Sequence, residues 1–390
     1  MTAASQRQPE LDGIRGIAIL AVLLTHCTPL LRPTAASHFL IALLTPGWAG
    51  VELFFVLSGF LITGILLRTK EASNYFRSFY ARRFLRIFPI YYLTLSFILL
   101  FSTLSPWMRS MLPGSALQRA SYFIYLQNWP VFWTHGFFKY SILGHFWSLA
   151  VEEQFYIIWP VLIWLLPERL LRRICLIGLP FALAGRIALV HQFGSDFGVM
   201  NLTTSRIDGL LIGCYLAFLM RRGSIPLGWC ISLFAIGAPL IAYVATFHSG
   251  ELSATGVYMH SIGVTGFALL SGAFVGFSQQ RSPLLTKVLC ARWLGVFGKY
   301  SYGMYVYHIP LYMIIEAATS ALGWRMPMPL RYAIPYGAAL IALTFGLSRT
   351  SYVLLEDRIL RLKSQFDPKF ESGEPVPAPG HYSLIQTQAS

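Results

Sequence analysis

The feature that most constrains this chain is a succession of apolar stretches, each about as long as a helix needs to cross a bilayer. Charged residues make up only 12% of the 390 residues, against about 25% in soluble domains. Because so few charges cannot cover a water-soluble surface of this size, the sequence predicts an all-α membrane protein. The predicted bundle has ten spans: residues 14–31, 47–67, 87–104, 145–166, 174–190, 206–220, 228–247, 259–278, 300–319 and 331–349.

Basic residues are distributed unequally between the loops on the two sides of this predicted bundle. With the N-terminus in the cytoplasm, twenty Lys and Arg residues fall on the cytoplasmic side and five on the other. This asymmetry predicts a multi-pass protein with both termini cytoplasmic, and the bacterial inner membrane is the expected location. The net charge of +14 then reflects membrane orientation, so lipids and not nucleic acid are the expected partners.

Composition along the chain predicts three parts: a cytoplasmic arm at 1–13, a membrane domain at 14–363 and a disordered cytoplasmic tail at 364–390. A cleavable signal is not expected, because ionisable residues interrupt the first apolar run and no small-residue cleavage site follows it. The five cysteines show no disulfide or metal-ligand spacing, and no metal site is predicted.

The segment at 105–144 needs a separate interpretation. The basic loops at 68–86 and 167–173 both favour the cytoplasmic side, which leaves room for only two spans between them. The apolar run at 120–133 is short and is interrupted by polar residues and proline. We therefore expect a short interfacial or re-entrant element after the third span, on the outer side, that shelters a site.

Ionisable residues within spans are costly to insert, so each is a candidate functional residue. Arg15 and His26 are eleven residues apart, about three helical turns, and so share one face about 16 Å apart. A cation at the inner edge and an imidazole deeper on that face suit a long anionic ligand entering from the cytoplasm. The alternatives are a membrane anchor for Arg15 and polar packing for His26.

Two carboxylates are expected at the depth of His26 and are rival partners for it. Glu152 should lie about 10 Å below the outer surface, and Glu52 about 8 Å. Of the adjacent Glu152 and Glu153, one is expected to pair with an arginine instead, because two unpaired charges there would be expensive.

An arginine cluster, Arg82, Arg83 and Arg86, lies in the predicted cytoplasmic loop that ends at Pro89. Guanidinium clusters favour phosphate, although a positive-inside loop or a contact with anionic lipid is the alternative.

Three other groups complete the candidate residues. Ser148, Glu152 and Tyr156 share one helix face at i, i+4, i+8 spacing. Arg206 and Asp208 could pair and line the outer site, and His308 lies among tyrosines, for which core packing is the alternative.

Seven stretches, in order, resemble the membrane-bound acyltransferase-3 family, whose members O-acylate carbohydrates and some natural products. They are LDGIRGIA continuing to His26, GVELFFVLSGFLI, ARRFLRIFPIYYL, HFWSLAVEEQFYIIWP, SRIDGLLIG, YSYGMYVYHIP and SYVLLEDRI. The likeness covers about residues 9–360. In the last stretch Asp357 and Arg358 replace the basic residue and proline of many members, so no role is assigned there.

The resemblance implies a ten-helix domain with an acyl-CoA donor, most simply acetyl-CoA, on the cytoplasmic side. It also implies an acceptor hydroxyl on a carbohydrate or lipid-linked saccharide at the outer face. Some members append an extracytoplasmic hydrolase-like domain, which this sequence does not show, so a separate partner would be needed for chemistry of that kind. The family's functional positions map onto Arg15, His26, Glu152, Arg82, Arg83 and Arg86.

The expected mechanism is transfer of the acyl group to the acceptor hydroxyl, with the arginines holding the donor phosphates. His26 would act as general base or as nucleophile, and the sequence leaves both roles open. Glu152 or Glu52 would orient it, as in a catalytic triad. Candidate oxyanion donors are Trp147, Ser148 and Tyr156.

Two functions of other classes remain as alternatives at this point. One is a multi-span transporter or flippase for a lipid-linked sugar, against which no inverted repeat is evident in the sequence. The other is a non-catalytic membrane partner protein.

Overall fold

The computed structural model describes residues 8–112, 114–133, 141–194, 197–247, 256–280 and 282–370. Within these ranges the chain is helical, and strand-like pairing is limited to one bridge between Leu31 and Met328. The long helices of this part are α1 Pro9–His26, α2 Gly50–Thr69, α3 Tyr75–Leu104, α4 Trp147–Leu165, α5 Glu168–Phe193, α6 Thr203–Arg221, α7 Leu227–Phe247, α8 Val264–Ser278, α9 Arg292–Ala321 and α10 Leu330–Ser351.

Shorter elements connect these helices. The short α-helices are Ala35–Leu44, Pro106–Ser110, Ala116–Ser121, Asn128–Trp133, Phe197–Asn201, Pro283–Leu289 and Asp357–Arg361. The 3₁₀ turns are Thr28–Leu30, Thr45–Ala49, Tyr122–Ile124, Gly144–Phe146 and Leu362–Phe366, and the π-helical turns are Met259–Gly263 and Tyr352–Glu356.

Nine helical stretches in the described ranges are long and apolar enough to cross a membrane. They include every long helix except α9, which carries His308 and several tyrosines along its 30 residues. The predicted all-α membrane fold is confirmed, whereas the count of ten spans stays a prediction. Between α3 and α4 the chain forms short helices instead of a further span, as expected for 105–144; residues 113 and 134–140 of that segment lie outside the described residues.

Two helix boundaries differ from the prediction in ways that affect the site. The helix α1 starts at Pro9 and ends at His26, so the imidazole lies at the end of the helix and not within it. The helix α3 starts at Tyr75, so the arginine cluster lies on a helix and not in a loop, and Pro89 falls inside that helix. Ala81, Leu85 and the arginines themselves favour helix, which explains the earlier start.

The first part of the predicted C-terminal tail lies against the start of α3. Residues 371–390 lie outside the described residues, so a disordered tail stays a prediction. The contacts are an ion pair between Arg82 and Asp367 and a hydrogen bond from the Lys369 N–H to Asn74 Oδ1 (2.9 Å). Because α3 is already helical here, its first residues offer fixed partners to the segment.

Close approach of backbones sets the position of α2 against α6. A Cβ added at Gly59 would lie 2.1 Å from the Leu210 carbonyl oxygen, and one at Gly213 would lie 2.1 Å from that of Val56. The two glycines therefore let the helices touch directly, which is how helices gain packing energy in a bilayer. This pair holds α2 in place beside the pocket described next.

Candidate active site

A pocket of about 120 Å³ lies between α1, α2, α3, α4 and α9. Guanidinium groups line one end of it, and the end without them carries the hydroxyls of Ser148 and Tyr305, here called the hydroxyl end. The predicted stripe of α4 lies on the pocket wall as a whole. The polar lining residues are Arg15, Ser58, Arg83, Arg86, Ser148, Glu152, Glu153, Tyr156, Ser301, Tyr302 and Tyr305.

The guanidinium end brings together arginines from two helices. Arg15 forms an ion pair with Asp12 (2.8 Å) and still lines the pocket. Arg83 lies 5.3 Å from the ring centroid of Tyr156, and neither Arg83 nor Arg86 has an ion pair or hydrogen bond in the described part of the chain. This end of the pocket therefore has donor capacity for an anion such as a phosphate.

Arg82 does not belong to this group. Its guanidinium turns to Asp367 of the C-terminal segment, and it does not line the pocket. The structure does not bring Arg82 to the pocket with Arg83 and Arg86. On the helix Arg86 lies between the other two, about 40° from Arg82 and about 60° from Arg83, so the pocket lies on the Arg83 side of this face and Asp367 on the Arg82 side.

The two glutamates of α4 both line the guanidinium half of the pocket. Glu152 lies beside Arg83, with the Ser58 and Tyr156 hydroxyls close by; those two hydroxyls hydrogen-bond to each other at 2.5 Å. Glu153 is buried, and its Oε1 has no hydrogen-bond partner in the described structure. Neither glutamate forms an ion pair with Arg83 in the described structure, so the predicted pairing of one of them with an arginine is not formed.

Three histidines meet just beyond the hydroxyl end of the pocket. The ring of His308 lies 4.9 Å from that of His26 and 4.9 Å from that of His145, each measured between centroids. Tyr305 connects the pocket to this histidine cluster, because its ring is 5.5 Å from His145 and its hydroxyl hydrogen-bonds to Ser148 at 2.5 Å.

Each imidazole of the cluster is fixed by a backbone carbonyl, and since a carbonyl only accepts, the ring nitrogen beside it must donate. His26 Nδ1–H donates to Val22 (2.7 Å), His308 Nδ1–H to Tyr305 (2.6 Å) and His145 Nε2–H to Val306 (3.1 Å). In the neutral rings the opposite nitrogens carry lone pairs. Those of His145 and His308 have no partner in the described structure, so the cluster is equipped to accept protons.

His145 was not among the predicted site residues. The prediction placed Glu152 near the depth of His26 by counting 1.5 Å per residue from the ends of their spans. In the structure the His26 ring contacts His308, which in turn contacts His145, seven residues and about 10 Å before Glu152. The predicted pairing of His26 with Glu152 or Glu52 is therefore not formed; its Nδ1 pairs with a carbonyl instead.

A separate buried network takes up the other predicted charges. Glu52, fully buried, pairs with Arg206, and Asp208 pairs with Arg186 at 3.0 Å. The predicted Arg206–Asp208 pair is wrong, because residues two apart on a helix point about 200° away from each other. Trp147 is also used here, since the Arg206 guanidinium lies 4.9 Å from its ring centroid.

Arg186 is the central member of this network, and the sequence analysis did not single it out. Besides Asp208, it donates to the carbonyls of Ser261 (3.1 Å) and Ser205 and to the hydroxyl of Thr265. In the described part of the chain no group of three or more His, Cys, Asp or Glu side chains is arranged to hold a metal ion.

Curated proteins similar to this chain include two O-acetyltransferases. The chain is 29% identical over 367 residues to the peptidoglycan O-acetyltransferase OatA of Listeria monocytogenes, covering 90% of this chain and 55% of the relative. It is 28% identical over 335 residues to the O-acetyltransferase OatA of Staphylococcus aureus, covering 79% and 51%. The chain thus spans about half the length of these curated relatives, and no solved structure matches it.

The family comparison covers most of the molecule. The acyltransferase-3 family model, described as "Acyltransferase domain", matches residues 8–349, which include every residue of the pocket and of the histidine cluster. On this match, the chain belongs to the acyltransferase-3 family.

Proposed function

We propose that this protein is a membrane O-acyltransferase that moves an acetyl group from acetyl-CoA to a hydroxyl of a carbohydrate or glycoconjugate. One observation carries the proposal: a pocket lined by three arginines at one end adjoins, at the other end, a cluster of three imidazoles. The acceptor class is supported by relatives that are named peptidoglycan O-acetyltransferases.

The donor would enter at the guanidinium end of the pocket. Arg15, Arg83 and Arg86 would bind the phosphates of CoA, and the pantetheine arm would extend along α1 toward the histidines. Eleven residues of helix separate Arg15 from His26, which is about 16 Å and suits an extended arm. In this proposal the guanidinium end faces the cytoplasm of a bacterial cell, the acceptor side is outside, and both termini are cytoplasmic.

His26 would perform the proton transfer. Its Nδ1–H is held by the Val22 carbonyl, so its Nε2 lone pair takes the proton of the acceptor hydroxyl as that oxygen attacks the thioester carbonyl. The C–S bond then breaks, and the leaving thiolate takes the proton from Nε2. Attack by Nε2 itself, giving an acyl-imidazole that the acceptor then opens, uses the same lone pair.

In this proposal two hydroxyls would stabilise the developing oxyanion. Ser148 and Tyr305 lie at the end of the pocket that adjoins the histidines, and each also lies 3.2 Å from the His145 carbonyl. Trp147, also predicted as an oxyanion donor, is not assigned that role in this proposal because its ring contacts the Arg206 guanidinium. Tyr156 lies nearer the arginines, so it would act on the donor side.

The test uses purified protein in nanodiscs with acetyl-labelled acetyl-CoA and no acceptor, and it follows thiol release and label on the protein. His26→Ala should slow thiol release by about 10²- to 10⁴-fold, the usual contribution of a general base. His38→Ala, at an exposed histidine, is the matched control and should keep the wild-type rate.

Thiol release by folded His26→Ala at the wild-type rate would contradict the assignment of the base. No thiol release by folded wild-type protein would contradict the acetyl-CoA donor. Movement of a saccharide across the bilayer without gain of an acetyl group would instead support a transporter.

A further inference from the structure

A second cavity, of about 560 Å³, lies at the far end of α9 from the arginine pocket. Its walls are the last turns of α9, the short helix Pro106–Ser110 with the residues after it, and the loop that precedes α10. This volume is within the roughly 300–1,000 Å³ of small-molecule sites. The cavity plays no part in the donor chemistry described above.

The two cavities and the histidine cluster lie in order along α9. Tyr302 and Tyr305 line the arginine pocket, His308 belongs to the cluster, and Met313 and Glu316 line the second cavity. At 1.5 Å per residue, Met313 is about 8 Å beyond His308 and Glu316 about 12 Å. The histidines therefore lie between the two cavities, so a donor and an acceptor can approach them from opposite ends.

The lining of the second cavity has the chemistry that a sugar needs. Trp107 and Trp324 present indole rings, which pack against the C–H faces of sugar rings, and Glu316, Ser320 and Arg325 supply groups for sugar hydroxyls. Within the described part of the chain, neither the Glu316 carboxylate nor the Arg325 guanidinium has an ion pair, so both are available to a ligand.

The loop that carries Trp324 and Arg325 is tied to the end of α1. The Met328 N–H donates to the Leu30 carbonyl (2.8 Å), and the Arg32 N–H donates to the Met328 carbonyl (2.9 Å). Those residues follow His26 by only a few positions, so the cavity wall and the catalytic imidazole share one backbone connection.

We infer that the second cavity is the acceptor site and that its occupant is an oligosaccharide. A single sugar held between the tryptophans would end short of the histidines, because the near edge of the cavity is about 8 Å from His308 along the helix. A chain of sugars can occupy the cavity and still place a hydroxyl at His26. This inference rests on the proposed function and adds to it the place and length of the acceptor.

The experiment uses the full chain in nanodiscs and chitotetraose, a β-1,4-linked N-acetylglucosamine tetramer, as the probe. Binding of the probe is measured by calorimetry without acetyl-CoA, and thiol release is measured separately without the probe. Trp324→Ala should weaken probe binding about tenfold and raise the acceptor KM similarly. The matched control is Trp164→Ala, because Trp164 is 51% exposed and Trp324 is 50% exposed.

Equal probe affinity in wild type, Trp324→Ala and Trp164→Ala overturns the inference, as does absence of binding to the wild-type protein. Both results leave the proposed function standing if thiol release still depends on His26. Conversely, binding that depends on Trp324 in a protein that releases no thiol supports the saccharide site and overturns the donor chemistry. Glu316→Gln provides a second variant, whose binding should also weaken, if Trp324→Ala does not fold.

Discussion

Two sets of arginines lie within the helical bundle, and they differ in how their donor groups are used. Arg186 and Arg206 are buried, and their guanidinium groups are occupied by carboxylates, carbonyls and a hydroxyl of neighbouring helices. Arg83 and Arg86 line a pocket and have no ion pair in the described part of the chain. The difference lies in the remaining donor capacity, which is used up in the first set and is left for a ligand in the second.

The first set should govern folding and not substrate affinity. Arg186→Met leaves Asp208 buried without its partner, and breaking such a pair costs about 3–5 kcal/mol. Chemical denaturation in detergent should therefore show a large loss of stability, while the folded fraction keeps the wild-type KM for acetyl-CoA. The double variant Arg186→Met/Asp208→Leu should recover most of that loss; a double variant as unstable as the single one would contradict the pairing.

The second-largest expected effect is a loss of kcat on substitution of His308 in the histidine cluster, a change that leaves every ion pair intact. His308→Phe keeps a ring of similar shape but removes the unpartnered Nε2 beside His26. We expect kcat to fall about tenfold to a hundredfold, because the imidazolium that forms on His26 loses an acceptor, with KM for acetyl-CoA unchanged. If the yield of folded protein falls while kcat per folded molecule stays at the wild-type value, His308 has a packing role instead.

The second set of arginines should govern substrate affinity and not folding. Arg83→Gln removes one charged donor from the pocket, so KM for acetyl-CoA should rise about tenfold with little change in the denaturation midpoint. The rise should be smaller at high salt, where charge–charge attraction is screened. An unchanged KM at low salt would remove Arg83 from the donor site.

Substitution of the neighbouring Arg82 should have the smallest effect on KM and stability, and it is the matched control for Arg83→Gln. Its partner Asp367 is 54% exposed, and surface ion pairs contribute about 0–1 kcal/mol. Arg82→Gln should therefore leave KM for acetyl-CoA unchanged and lower stability by less than about 1 kcal/mol. A KM change as large as that of Arg83→Gln would mean that net charge, and not position on α3, determines donor binding.

The sequence predicted those features that depend on one helix at a time. The apolar stretches located the long helices, and the i, i+4, i+8 spacing correctly put Ser148, Glu152 and Tyr156 on one wall. The predictions that failed required two helices to be set against each other. The partner of Glu52 depends on how α2 and α6 are rotated, which glycine contacts decide. The neighbours of His26 depend on how α1 and α9 are set against each other.

The paired backbone at Leu31 and Met328 has a mechanical consequence. While its two hydrogen bonds hold, the loop with Trp324 cannot swing as an independent flap, because any displacement of Met328 pulls on the residues just after His26. If the proposed acceptor site and base are correct, movement of the acceptor and orientation of the His26 imidazole are coupled through this backbone pairing. The relative position of the two segments is therefore set by the backbone and does not depend on side-chain conformations.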